Sequence, residues 1–201
     1  MNEQLIKQLG LNIGANGLPY EFPIHPILIH FTLGLFIIAV IFDWVGTLFT
    51  LEKPILKFLG LKANRASFYD LGWYNLVAAA VITFFTVAAG FFEIMLAQPS
   101  VTQKSIWGLG AGTTMILHGI GGVLLLAAIA GMTLWRGYQR YHWRKHKVRQ
   151  VQLSYLLLGL LMFFLLFVHG TLGAQMGNEF AIHNTAAGLL QQGKNPNTVL
   201  K

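Results

Sequence analysis

GTTMILHGIGGVLLLAAIAGMTL, residues 112–134, decides the fold. Its 23 residues carry one ionisable side chain, His118, and the apolar positions are continuous rather than alternating. At 1.5 Å rise per residue, about 20 such residues cross a hydrocarbon core of about 30 Å. Three comparable runs accompany it, at 27–49, 73–96 and 153–174. Continuous runs specify helices rather than barrel strands, since a helix satisfies its own backbone polar groups inside the bilayer.

Composition agrees with that reading. The chain has 201 residues, 55% hydrophobic and only 10% charged, where a soluble domain carries about 25% charged residues. The expected fold class is all-α, an integral membrane up-and-down four-helix bundle. Three regions are expected: an outer-side segment 1–26, a transmembrane domain 27–174, and a polar outer-side tail 175–201. Pro23 and Pro26 precede helix 1, where a missing N–H costs nothing. The 50–72 loop has room for a short interfacial helix broken by Pro54 and Gly60, and Ala181–Leu190 for a small surface helix.

The net charge of +7 suggests nucleic acid, but the positions of the cations do not. Ten of the fourteen Lys and Arg fall in segments 49–71 and 135–152, among them Arg65, Arg136 and Arg140. A cation excess marks the side that is not translocated. Both termini are therefore expected on the periplasmic or lumenal side of a bacterial inner or thylakoid-like membrane. The partners implied are the lipid bilayer and its anionic headgroups, with no nucleic acid. Trp44, Trp73 and Trp135 sit where an interfacial aromatic belt would place them.

No cysteine occurs, which excludes disulfides, covalent C-x-x-C-H haem and cysteine-ligated metal clusters. The amino-terminal residues Asn2, Glu3 and Gln4 do not resemble the start of a cleavable signal peptide.

Chemistry concentrates at one depth. With the termini outside, His30 lies about four residues into helix 1 and His118 about six into helix 3, roughly 6 and 9 Å. Glu93 and His169 approach the same level from the far ends of helices 2 and 4. Ionisable groups within a membrane cost several kcal/mol and are functional by default. Glycines lie nearby: Gly119, Gly121 and Gly122 after His118, Gly170 and Gly173 after His169, Gly90 before Glu93, and Gly34 one turn below His30. They suit either clear space beside a flat macrocycle or close helix packing.

Two chemistries fit these residues. The first is axial ligation of haem b, or another tetrapyrrole, by two of His30, His118 and His169. Helices 1 and 3 are diagonal in such a bundle, so His30 and His118 would face one another. His169 would then bond a propionate or replace one of the pair, and His25 would cover the macrocycle edge. The second is a transition-metal ion held by His30, Glu93, His118 and His169. A network that only ties the helices together is the structural alternative. Elsewhere, His142 and His146 in HWRKH read as a solvated, lipid-facing segment, and Asp43 as a capping or interface residue. Tyr20 and Trp107 could edge a cofactor or belong to the belt, and His183 reads as exposed.

HPILIHF (25–31), AAGFFE (88–93), ILHGIGG (116–122) and VHGTLG (168–173) together resemble the domain of unknown function 2231 family. These are bacterial predicted membrane proteins of four spans, and the resemblance covers about residues 23–178. By motif it carries over to His25, Pro26, His30, Glu93, His118, His169, Gly170 and Gly173. Two features depart from the pattern: Glu93 where Asp is expected, and GTLGAQMG (170–177) where a Gly-Gly pair is usual. Some relatives are joined to c-type cytochrome modules, which implies redox work rather than transport. The expectation is a haem b protein that transfers single electrons, with a quinol or other subunits of a redox membrane complex as partners. It is an electron carrier or subunit rather than a stand-alone enzyme. The alternatives are a structural or assembly subunit and a transition-metal-binding membrane protein.

Overall fold

The computed structural model describes residues 24–58, 64–96, 102–143, 150–180 and 182. Four long helices carry the chain: α1 (His25–Phe58), α2 (Arg65–Leu96), α3 (Ala111–Tyr138) and α4 (Leu153–Asn178). A π-helical turn, Gln139–Trp143, extends α3. No strand occurs among the described residues. Each helix is long and apolar enough to span a membrane, over His25–Leu48, Arg65–Ile94, Ala111–Trp143 and Leu153–Asn178. At most 28% of each span's central window is buried, so most of its apolar surface is left to lipid.

The helices outrun their apolar runs. Helix α1 does not stop near residue 49 but continues through Pro54 to Phe58. Proline removes one i→i−4 bond and kinks a helix, without necessarily ending it. Helix α2 starts at Arg65, eight residues before the expected Trp73. Polar residues at a span's end can remain helical when they find partners, and here they do: the Arg65 guanidinium donates to the Gly46 and Thr47 carbonyls at 2.7 and 3.0 Å. The expected N-terminal segment up to residue 23, Tyr20, Gly60, His146, His183 and nearly all of the Ala181–Leu190 helix lie outside the described residues.

The chain forms two compact units, and every helix contributes to both. The larger comprises Leu28–Thr86 and Gly121–His169. Its core follows helical periodicity: Phe36, Ala39 and Val40 on α1, Leu76 and Ala79 on α2, Leu125, Ile129 and Met132 on α3, Tyr155 and Met162 on α4. The opposite positions, such as Phe84, Leu124 and Phe164, are exposed. Glycine sets the helix spacing. A Cβ on Gly159 would stand 3.1 Å from Val40, and one on Gly46 2.9 Å from Tyr69. This is the small-residue packing expected where no hydrophobic effect drives helices together. Thr32 and Thr86 add a buried hydroxyl–hydroxyl bond of 2.9 Å between α1 and α2.

Polar chemistry closes one end of this unit. Asp43 and Arg136, both fully buried, form a bidentate pair across α1 and α3 at 3.0 and 2.9 Å. The same guanidinium donates to the Tyr69 carbonyl at 3.2 Å and lies over the Tyr69 ring. Gly72 makes this possible, because its Cβ would fall 2.5 Å from Asp43 Oδ1. Arg136 and Arg140 therefore belong to the helix interior rather than to a solvated basic loop. Arg140 pairs with Asp70 at 2.7 Å and sits among Trp73, Tyr74 and Tyr141. Asp43 is an interhelical ion-pair partner rather than a helix cap. Trp44 and Trp135, assigned to the belt, are partly buried against the core.

The smaller unit comprises residues up to Ile27, Val87–Ile120 and Gly170 onward. It gathers the start of α1, the end of α2, the start of α3 and the end of α4. A small core of Ala111, Met176, Phe180 and Ile182, with Ile94 and Met115 against it, holds the ends of α2, α3 and α4 together.

Candidate functional site

The smaller unit brings one histidine pair together. His25 is the first residue of α1, and its backbone N–H has no intrahelical acceptor. Glu93 of α2 supplies one: its Oε1 accepts that N–H at 3.0 Å, with both residues buried. A carboxylate at a helix N-terminus also meets the positive end of the helix dipole. Glu93 is thus a cap delivered from a neighbouring helix. One turn earlier on α2, Gly90 leaves room for the His25 ring: a Cβ there would lie 2.8 Å from Cε1 and 2.9 Å from Nδ1.

His25 meets His118 of α3. Their ring centroids are 6.0 Å apart with planes at 83°, and both residues are buried. Helix α4 accommodates His118 in the way α2 accommodates His25. A Cβ on Gly173 would stand 3.0 Å from His118 Cε1. The site is two facing imidazoles, each seated on a glycine of an adjacent helix, with a carboxylate fixing the backbone of the first.

The other expected residues lie elsewhere. His30 is exposed. It follows His25 by five residues, which turns it about 140° around an α-helix, so a common depth does not give it a common direction. His169, in the larger unit, is half-buried and packs on Gly121, whose Cβ would lie 2.8 Å from its Nδ1. Gly119 has Phe91 as its nearest neighbour at 3.6 Å, and Gly170 has nothing within 4 Å; Gly122 is half-buried. Among the described residues no group of three or more His, Asp or Glu is arranged to hold a metal ion. Of the four residues expected as metal ligands, His30 and His169 belong to the larger unit and Glu93 and His118 to the smaller, where Glu93 bonds the α1 backbone. His142 is exposed and stacks on Tyr138.

The imidazole–glycine contacts make a direct stability prediction. Gly90→Ala and Gly173→Ala each force a Cβ into a histidine ring and are expected to cost about 1–3 kcal/mol. Gly170→Ala, in open space on α4, should be neutral or stabilising by up to about 1 kcal/mol. Thermal unfolding of the three variants in detergent checks the contrast.

A family profile described as "Predicted membrane protein (DUF2231)" matches residues 21–186. The chain belongs to this family. No curated protein and no solved structure matches it. The stretch that matches DUF2231 contains His25, Glu93 and His118 of the smaller unit and Asp43 and Arg136 of the larger. The family description supplies the membrane location and no activity. For this DUF2231 chain, function has to be argued from the site.

Sequence reasoning missed two features of that site. It assigned His25 to the macrocycle edge, although HPILIH offers two histidines whose helical phases differ and only one can face the interior. It also linked each glycine to the histidine of its own helix. The contacts run between helices: Gly90 with His25, Gly173 with His118, Gly121 with His169.

Proposed function

We propose that this protein binds haem b between His25 and His118 and serves as a membrane single-electron carrier. The observation that supports it is the buried pair of imidazoles with centroids 6.0 Å apart. An imidazole nitrogen binds a first-row metal at about 2.0 Å, so a centroid spacing of 6.0 Å would let both rings hold one metal-centred group. The ring edges rest on Gly90 and Gly173, whose missing side chains leave room for the imidazoles themselves.

When bound, haem iron supplies one-electron redox chemistry. The protein's own groups do the rest. His25 of α1 and His118 of α3 would hold the group. Glu93 fixes the first turn of α1, and with it the origin of the His25 side chain. Burial of His25, Glu93 and His118 keeps water from the site and lowers the local dielectric, which strengthens every charge interaction there. The cation bias of the sequence supports an orientation with this site towards the periplasm or lumen. A membrane quinol as donor and an outer-side acceptor are the partners this reading expects.

A structural subunit of a larger membrane complex is the second reading. The Glu93 cap favours it, since that carboxylate ties the start of α1 to α2. Protein purified from haem-sufficient cells tests the first reading. Organic extraction and mass spectrometry are expected to yield about one haem b per chain. A tetrapyrrole-free preparation that migrates within a large complex on native gels would replace it with the second.

A further inference from the structure

The segment between α2 and α3 carries an exposed apolar tip on a rigid turn. Ser105 accepts the Gly108 N–H at 2.7 Å, and the Ser105 N–H reaches the Leu109 carbonyl at 2.7 Å. Lys104 and Gly110 pair as an isolated antiparallel bridge, and Gly108 takes φ +74°, a conformation open to glycine. Ile106 and Trp107 occupy the two central positions and project from the turn, 82% and 48% exposed. Glu179 braces the tip, its Oε2 accepting the Ile106 N–H at 2.7 Å. So much ordering behind two exposed apolar side chains calls for an occupant.

We propose that this turn is an interfacial hook, with Ile106 and Trp107 seated in the lipid leaflet at the end of the protein where α1 begins. Three observations on the smaller unit select lipid. Glu179 directly follows the last residue of α4, and Gly110 directly precedes α3, so the turn is level with the ends of two spans. The helix surface of the same unit is lipid-facing in character: Ile116, Leu117 and Ile120 of α3 and Phe91 of α2 are exposed. The residue types also match the interface. Tryptophan has an apolar body with a polar N–H and concentrates at headgroup level, and the exposed Lys104 can extend its ammonium to lipid phosphates.

The cysteine-free chain makes the test direct. Ile106→Cys in the full-length protein is nitroxide-labelled and reconstituted into phosphatidylcholine–phosphatidylglycerol vesicles. Relaxation by lipid-soluble oxygen is compared with relaxation by a water-soluble nickel chelate. Oxygen is expected to dominate at position 106, and the balance to shift towards nickel at a label on Gln103→Cys. Trp107→Cys repeats the measurement should the first variant fail to fold. Adding Glu179→Ala should bring a loss of ordering, seen as a narrower spectrum at 106. Nickel dominance at 106 and 107 would place the tip in water and overturn the hook. Protection from both reagents would mean coverage by protein, a second copy or another chain, and would overturn it as well.

Discussion

His25→Ala and His118→Ala are each expected to abolish the reduced-minus-oxidised Soret and α-band signal of the purified protein, while His30→Ala keeps it. The contrast follows from placement. His25 and His118 are buried with ring centroids 6.0 Å apart, whereas His30 is exposed. On the proposed reading both imidazoles would hold the haem, so losing either would release it and leave a void the size of the ring. Two controls separate ligation from folding. The variants must elute as the parent does in detergent, and added imidazole should restore part of the absorbance to His118→Ala by occupying that void. His169→Ala, changing a residue of the other unit, should also retain the signal.

The second large effect is on stability. Asp43→Leu is expected to destabilise the protein by about 3–5 kcal/mol, because it strands a fully buried guanidinium without its counter-ion. Low dielectric makes an unpaired charge far more costly there than at a wet surface. The double variant Asp43→Leu with Arg136→Met removes both charges and should recover most of the loss. Buried ion pairs can often be exchanged for apolar residues at little net cost. Denaturant or thermal unfolding of the two single variants and the double gives the coupling energy, which should be large and favourable for the native pair. Additive losses would mean that Asp43 and Arg136 contribute independently.

Helix number and class were legible because each span repeats its apolar signal over more than 20 residues. Where the helices end was less so. The hydropathy of Arg65, Asp70, Arg136 and Arg140 reads as loop, yet tertiary partners keep all four helical: backbone carbonyls for Arg65, Asp43 for Arg136, and Asp70 with three aromatic rings for Arg140. A window average cannot register a partner that lies 93 residues away in the chain.

The candidate site was legible as a depth and not as a direction. Placing His30, Glu93, His118 and His169 at one level used only the rise per residue. Rotation was needed as well, and over HPILIH it exchanges His30 for His25. Glu93 has an ionisable side chain in an apolar run, the pattern of a metal ligand, but the first N–H of α1 needs an acceptor and Glu93 supplies it. The glycines were informative in kind, since they do mark histidines. Which glycine serves which histidine depends on antiparallel neighbours, as Gly173 with His118 and Gly121 with His169 on α3 and α4 show.

One spectrum tests the central claim. Protein purified in mild detergent from haem-sufficient cells is scanned as isolated and after dithionite. A bis-histidine haem b predicts a sharp α-band and a Soret shift on reduction, at a haemochrome stoichiometry of about one per chain. A featureless difference spectrum from folded, monodisperse protein would contradict it and leave His25 and His118 as helix-packing residues.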